Sequence, residues 1–434
     1  MVLSFALTCS AQAQSLIDLY QAAKAFDASY QSARAQADAT VAKGEQARAG
    51  LLPNVGLAAG INRTNTSLSQ RTLQSSFGQS NFGNQTLALS ASQPLYRPAN
   101  SATARQGKKQ AELAQAQLQA ADQDLIVRVS QAYFDVLSGQ DNLRFVGAQK
   151  AAVSEQLASA KRNFEVGTAT ITDTREAQAR YDLVLAQEIA AENDLRVKKL
   201  ALDQLTGKSA SEPKPIATPV ALPVMTPADV NTWVAQSEEQ HPGVRQARLG
   251  LEVAQLESQK AQAGNKPTLD LTGSYSITQN NGSSSTGIDY RTNVASVGLS
   301  FNLPLFAGYA IQNRIKETVA LEEKSRSDLE TVKRDVAQAT RAAFFGVQSG
   351  LGQVKALEAA EASSQSALDA NKLGYQVGVR INIDVLNAQS QLYDTKAKLA
   401  KARYDVLLGG LKLRQANGTL KEDDLNAVNA LLVK

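Results

Sequence analysis

The chain has few of the residues that build disulfide frameworks, metal centres or thick aromatic cores. It has one cysteine, Cys9, and one histidine, His241, in 434 residues, and aromatic residues make up 5% of it. A single cysteine excludes an internal disulfide, and His241 has no Cys or acidic cluster at ligand spacing. No Ser/His/Asp arrangement or phosphate loop stands out. We therefore predict that the protein is not an enzyme and needs no cofactor or metal.

Long apolar runs and an excess of one charge are also missing. The longest apolar stretches fall well short of the ~18 residues that a membrane-spanning helix requires. The 45 Lys and Arg residues nearly balance the 41 Asp and Glu residues, so the composition predicts no nucleic-acid partner. Membrane residence would therefore have to come from β-strands, the other way to satisfy backbone groups in lipid.

The N-terminus resembles an export signal. An apolar run ends in Ala11-Gln12-Ala13, which is typical of a cleavage site with small residues. We interpret residues 1–13 as a signal peptide, although a positive n-region is missing and a start codon further upstream stays open. A lipid anchor on Cys9 is the alternative, but Ala6-Leu7-Thr8 before it is a poor lipoprotein signature.

The sequence is an internal duplication with an offset near 211 residues. Matching segments keep their order: Pro53 and Pro267, Pro94-Leu95-Tyr96 and Pro304-Leu305-Phe306, Tyr133-Phe134 and Phe344-Phe345, Phe164-Glu165-Val166-Gly167 and Tyr375-Gln376-Val377-Gly378, Asp173 and Asp384, Ala177-Gln178 and Ala388-Gln389. This period is far longer than a solenoid unit, so the repeat is a duplicated half-protein. We predict a first repeat at 14–210, a Pro-rich linker at 211–227, a second repeat at 228–418 and a C-terminal segment at 419–434.

Each half contains two segments in which apolar and polar residues alternate with a period of two, the pattern of a β-strand between two environments. The four predicted strands lie near 53–64, 84–96, 267–278 and 291–305. A soluble antiparallel sheet gives the same alternation. Sparsely charged polar faces and the Asn/Ser/Gln/Gly-rich loops at 65–83 and 279–289 favour transmembrane strands. Four strands cannot close a barrel, so they must close with other subunits, and a trimer supplies twelve.

Proline-free segments with apolar residues at helical spacing connect the strand pairs. The segments from Ser101 to about Asn163 and from about Gln312 to Asn371 each predict one helix on the order of 90 Å long. Shorter helices are predicted at 15–49, 172–205, 228–263 and 383–416. Their small-residue stripes allow coiled-coil packing. A plain intracellular coiled coil would explain neither the strands nor the duplication.

The order helix, strand, strand, long helix and helix, repeated twice around a linker, resembles the TolC family of outer-membrane export channels. The matching motifs are Gly374-Tyr375-Gln376-Val377-Gly378-Val379-Arg380, Asp384-Val385-Leu386-Asn387-Ala388 and Gly418-Thr419-Leu420-Lys421-Glu422-Asp423-Asp424-Leu425. The resemblance implies an α+β membrane protein and a homotrimer in outer-membrane lipid. It implies a twelve-stranded transmembrane barrel, an antiparallel helical tunnel through the periplasm, and an equatorial region from the linker and C-terminal segment. It also implies passive transport with a periplasmic adaptor and an inner-membrane transporter of ABC, RND or MFS type.

The resemblance also implies an iris-like gate at the periplasmic tip. The turns at Gly167 and Gly378 would lie there, where an adaptor docks. By motif, Thr172 and Asp173 match one side of the closing bonds, and Tyr375 and Arg380 match the other. Gln156 matches a further position, but its usual Glu partner is Lys372 here.

An acidic constriction is the last implication of the resemblance. Asp384 would form a ring of three carboxylates, which attracts cations. Family members often have a second Asp three residues later, where this chain has Asn387. We therefore predict one acidic ring, not two, and weaker cation selectivity or cation block than in family members with two. The rival function is a periplasmic adaptor, but an adaptor should have a single helical hairpin flanked by soluble β-domains.

Overall fold

The computed structural model describes residues 13–68, 78–217, 220, 222, 225–282 and 288–433, so the predicted signal peptide lies outside the described residues except for Ala13. The helices are α1 Leu16–Phe26, α2 Ala28–Ala49, α3 Pro98–Glu165, α4 Ile171–Thr206, α5 Val230–Gln240, α6 Pro242–Gln262, α7 Ala310–Gln376, α8 Asn382–Ala416 and α9 Asp423–Asn429. The strands are β1 Asn54–Leu68, β2 Gly78–Tyr96, β3 Thr268–Asn281 and β4 Asp289–Asn302. Among these helices, none has the length and apolar character needed to span a bilayer.

Two predicted helices are each divided in two, so their prediction as single helices was wrong. The segment 15–49 breaks at Asp27, whose N–H still bonds to the last turn of α1 while its carboxylate accepts the N–H of Tyr30 at 2.7 Å. One side chain therefore caps the next helix. The segment 228–263 breaks at His241 because the residue before a proline is driven out of the helical region, and its ψ is 127°.

The four strands form one antiparallel sheet in the order β1-β2-β3-β4, so the hairpins of the two repeats pair through β2 and β3. The register aligns the predicted faces across all four strands. One row is Leu57, Leu89, Tyr275 and Ala295; its neighbour on the opposite face is Gly56, Ser90, Ser274 and Ser296. The apolar face is open in the single chain, with Leu57 70% exposed and Val297 83% exposed. The alternation predicted from the sequence is therefore continuous across the sheet.

The chain divides into two compact units. The first comprises Met1–Ala35, Ala116–Arg245 and Glu330–Lys434; the second comprises Gln36–Gln115 and Gln246–Leu329 and contains the sheet. In the second unit, the Arg97 guanidinium after β2 donates two hydrogen bonds, of 2.7 and 2.6 Å, to the buried carboxylate of Asp270 in β3.

The core of the first unit forms around the middle of α3. Its largest fully buried side chains there are Tyr133, Phe134 and Leu137. Short bridges join Gln14 to Pro213 and Ile216 to Leu432, so the N-terminal segment, the linker and the C-terminal segment meet. The histidine is part-buried: burial lowers the pKa of His241, and its Nδ1 accepts the N–H of Gly243 at 3.0 Å.

Candidate functional site at the two helix turns

Two turns of the same geometry join α3 to α4 and α7 to α8 in the first unit. Gly167 has a φ of 78° and Gly378 a φ of 77°. In each turn the residue after the glycine donates its N–H to a carbonyl five residues earlier, at 2.8 Å, from Thr168 to Asn163 and from Val379 to Gly374. A Cβ on either glycine would meet nothing within 4 Å, so the left-handed φ alone calls for glycine. The sequence duplication is thus a duplication of turn geometry.

The N-terminus of α4, the helix that follows the first turn, is stabilised by a capping box. The Asp173 carboxylate accepts the N–H and the hydroxyl of Thr170 at 2.9 and 2.7 Å, and the Thr170 hydroxyl accepts the N–H of Asp173 at 3.2 Å. Asp173 therefore satisfies donors at the start of its own helix. The resemblance assigned this carboxylate to bonds with Tyr375 or Arg380, and within the chain it makes neither.

The helix that follows the second turn lacks this cap. Ile381 occupies the position of Thr170 in the repeat, and it makes no side-chain cap bond. The Asp384 carboxylate is therefore not held by its own helix start. It lies 3.6 Å from the Arg380 guanidinium instead, with the two side chains 33% and 58% exposed. Because of this one substitution between the halves, the carboxylate that the resemblance places at the constriction pairs with Arg380 instead of capping its own helix.

The residues that flank the two turns differ in size between the repeats: the larger side chain precedes the turn in the first repeat and follows it in the second. The first repeat has Asn163 and Ala169 where the second has Gly374 and Arg380. A Cβ on Gly374 would lie 2.7 Å from the Arg380 Cγ, so the arginine stem crosses the backbone of its own turn there. Asn163 uses its larger side chain differently, and its Nδ2 donates to the hydroxyl of Tyr375 at 3.2 Å. Tyr375 is therefore bonded to α3 rather than to Thr172 or Asp173.

A buried amide links the start of α8 to the first helical hairpin, which α3 and α4 form; α7 and α8 form the second. Asn382 is 1% exposed; its Oδ1 accepts from Nε2 of Gln156 on α3, and its Nδ2 donates to the backbone carbonyl of Asp173 at 3.3 Å. The resemblance matches Gln156 to a link position whose usual Glu partner is Lys372 here; within the chain Lys372 is exposed, and Gln156 donates to Asn382.

The second position of the predicted constriction has a cationic neighbour. Asn387 is exposed, and its Oδ1 accepts from the Arg180 guanidinium of α4 at 2.7 Å. Thr172 is also exposed, and within the described part of the chain no hydrogen bond of its side chain is found. No group of three or more His, Cys, Asp or Glu residues in the described part could hold a metal ion.

Four residues of this region escaped the sequence interpretation: Asn163, Thr170, Arg180 and Asn382. The spacing of Thr170 and Asp173 resembles the Ser/Thr-x-x-Glu signature of a capping box, so that contact was readable from sequence. The other three bond to residues more than 200 positions away, and no local pattern marks them.

The pattern of two matching hairpins is that of a known family. The profile of the family described as outer membrane efflux protein matches residues 19–208 and 233–419, one stretch in each repeat. The chain belongs to this family. The resemblance drawn from the sequence motifs is confirmed.

Relatives in this family span nearly the whole chain. The outer membrane protein TolC of Vibrio cholerae is 35% identical, and the match covers 98% of this chain and 95% of that protein. TolC of Escherichia coli is 34% identical over 98% of this chain and 86% of its own. The alkaline protease secretion protein AprF of Pseudomonas aeruginosa is 30% identical over 96% and 87%.

Solved structures of outer-membrane channels share the fold. The outer membrane protein VceC of Vibrio cholerae matches with a TM-score of 0.78 at 20% identity, covering 93% of this chain and 96% of that one. CusC matches with a TM-score of 0.80 at 17% identity, covering 94% and 92%. This efflux protein is therefore an outer-membrane protein with a helical tunnel and a β-barrel portion, and the periplasmic adaptor alternative is not favoured.

Proposed function

We propose that three copies of this efflux protein form the exit duct of a tripartite export system, through which transport is passive. The observation that carries the proposal is the sheet. Its four strands end in β1 on one side and β4 on the other, and no further strand among the described residues covers those edges. An open edge is not tolerated in lipid, so the edges must pair with other copies. Three copies of four strands give a twelve-stranded barrel.

The trimer has a direct test at these edges. Cys9, within the proposed signal peptide, is the only cysteine of the chain, so single cysteines can be introduced into β1 or β4 of the mature protein. When a β1 variant and a β4 variant are co-expressed, we expect oxidation to crosslink different copies in the outer-membrane fraction. A mixture that stays uncrosslinked and monomeric in mild detergent would contradict the trimer.

The partners follow from the family and from the turns. We propose a periplasmic adaptor and an inner-membrane transporter of ABC, RND or MFS type. The relative named for alkaline protease secretion supports type I protein secretion, and the family description supports efflux. The apolar side chains beside the glycines support adaptor docking, since Val166 is 72% exposed and Val377 65% exposed in the single chain. Val377→Glu should abolish export while the trimer persists; undiminished export would contradict docking at the turns.

The turns also form the gate in this proposal. Within each copy, Tyr375 accepts a hydrogen bond from Asn163 of α3, and Arg380 pairs with Asp384 at the start of α8. Their bonds to Thr172 and Asp173, which the resemblance implies, would then form between copies. Each charge-assisted bond contributes about 1–3 kcal/mol, and threefold repetition gives a latch that an adaptor can overcome.

The gate is tested by removing its donors. We expect Arg380→Ser with Tyr375→Phe to raise single-channel conductance in planar bilayers. Lys161→Ser is the matched control, because it removes an exposed cation of α3 near the first turn that contacts none of these partners. If the double variant conducts like the unmodified channel, closure rests on other contacts.

In this proposal the Asp384 carboxylates of the three copies form a single acidic ring. Asn387 stands where many family members have a second Asp, so this channel has no second acidic ring.

A further inference from the structure

Asn382 has an environment opposite to that of its counterpart in the other repeat. The matching residue is Ile171, which is 49% exposed, whereas Asn382 is 1% exposed. An apolar residue is therefore open to solvent where the polar one is buried. Burial of an amide is unfavourable unless it is hydrogen-bonded. The burial of Asn382 thus depends on the two bonds it makes and not on the amphipathic pattern of the helix.

Those two bonds join three helices at the level of the turns. Asn382 is the first residue of α8, Gln156 lies on α3, and the Asp173 carbonyl lies in the first turn of α4. The packing around them is apolar: Leu386 of α8 contacts the cluster formed by α3 and α4 residues such as Leu157 and Ala177. If α8 separates from the first hairpin, water can satisfy all three groups. The amide bonds are therefore made only while the hairpins stay together.

We propose that Asn382 is a positioning residue of the gate, which holds the start of α8 against the first hairpin in the closed state of each copy. The inference rests on the proposed gate at the turns. It adds a tie within the copy that is buried, uncharged and separate from the exposed contacts of Arg380 and Tyr375. Because Ile171 replaces the amide in the first repeat, α4 has no equivalent tie, and the second hairpin is the one restrained in this way.

The test replaces the amide by a carboxylate of the same size. In Asn382→Asp at neutral pH, one oxygen still accepts from Gln156, but the other faces the Asp173 carbonyl and cannot donate. A buried charge beside an unpaired carbonyl is strongly unfavourable. We expect the ratio of open to closed channels to rise about tenfold or more in planar bilayers at pH 7.5. At about pH 4 the protonated carboxyl can donate as the amide does, and conductance should return towards that of the unmodified channel at the same pH.

Other charged groups near Asn382 are accounted for in the comparison. Asp173 on α4 is bonded to Thr170, and Asp384 on α8 is paired with Arg380. On α3, the charged residues closest to Gln156, Glu155 and Lys161, are exposed. The same groups are present in the unmodified channel, which is therefore measured at both pH values. Only the difference between variant and unmodified channel reports on position 382.

A matched control makes the same chemical change far from the turns. Gln123 on α3 is 4% exposed, and its Nε2 donates to the carbonyls of Gly418 and Leu420 at 3.1 and 3.0 Å. Gln123→Glu should lower the melting temperature of the trimer without changing its conductance. An equal rise of conductance in Gln123→Glu would show general loosening and would overturn the assignment.

The outcomes separate this inference from the gate itself. Unchanged conductance in Asn382→Asp, or a rise that acid does not reverse, overturns the role of Asn382. If Arg380→Ser still opens the channel in that case, the gate proposal stands; if it does not, the gate proposal fails as well. Should the aspartate variant not assemble, Gln156→Leu removes one of the two bonds and should give a smaller rise, and an unchanged conductance there overturns the inference.

Discussion

The missing cap at α8 gives the sharpest prediction about how the two halves differ. Thr170 has φ −87° and ψ 159°, and Ile381 has φ −100° and ψ 163°, so the backbone at the second helix start already suits a capping threonine. Ile381 is 60% exposed, and its replacement sacrifices little packing. We expect Ile381→Thr to build the missing box, with the Asp384 carboxylate turning to the N–H and hydroxyl of the new residue.

The magnitude follows from the two competing contacts of Asp384. A cap of this kind stabilises a helix start by about 1 kcal/mol. The exposed pair with Arg380 at 3.6 Å is of a class that contributes about 0.3–0.5 kcal/mol. The cap should therefore be favoured by roughly 0.5–0.7 kcal/mol, which slows hydrogen exchange in the first turn of α8 about two- to threefold.

Exchange mass spectrometry of the peptide around residue 384 measures this directly. Ile381→Val is the matched control, because valine has the shape of threonine without its hydroxyl. Thr170→Ile is the reciprocal change and should speed exchange at the start of α4 by a similar factor. If Ile381→Thr and Ile381→Val exchange at the same rate, the cap does not form, and the missing cap does not explain why Asp384 pairs with Arg380.

Three further predictions concern charge, pH and backbone. Asp384→Ala should lower the cation preference in bilayer reversal potentials, and an unchanged preference would remove Asp384 from the constriction. Arg128 donates hydrogen bonds to the Asp27 carboxylate and thereby lowers its pKa. This pair therefore stabilises the fold above pH ~3.9, and the stabilisation is lost as the pH falls below that value. Asp27→Asn should cost about 1–3 kcal/mol at pH 7, and the difference in melting temperature should shrink as the pH is lowered below ~3.9. Gly378→Ala should destabilise its turn by about 1 kcal/mol, whereas Gly352→Ala inside α7 should be neutral or stabilising, as protease resistance of the turn can show.

Much of the fold was predictable because its signals are local and repeated. The period-two alternation located all four strands, and the absence of proline located α3 and α7 to within a few residues. The breaks at Asp27 and His241 were missed. The second has a local signal, the proline that follows His241, whereas the first depends on a side chain that also receives two bonds from Arg128, a hundred positions away.

The candidate site was less predictable, because its contacts join distant parts of the chain. The motifs located the turns and named Tyr375, Arg380 and Asp384, but they did not supply the partners within the chain. Those partners depend on which helix faces align, as Asn163 and Arg180 illustrate. At Asn382, residue type alone would predict an exposed side chain, because asparagine is polar. The structure shows that this side chain is buried.

The sequence by itself determined the duplication, the strand faces and the left-handed turns, because periodicity and glycine chemistry act over a few neighbouring residues. Only the tertiary structure showed that the Asp384 carboxylate, which has no capping threonine, pairs with Arg380. Asp173 and Asp384 occupy equivalent positions in the repeat, yet the first is held by Thr170 and the second pairs with Arg380. Tertiary packing likewise decided that Asn382 is buried, because a buried amide requires donors and acceptors that only neighbouring helices can bring to it.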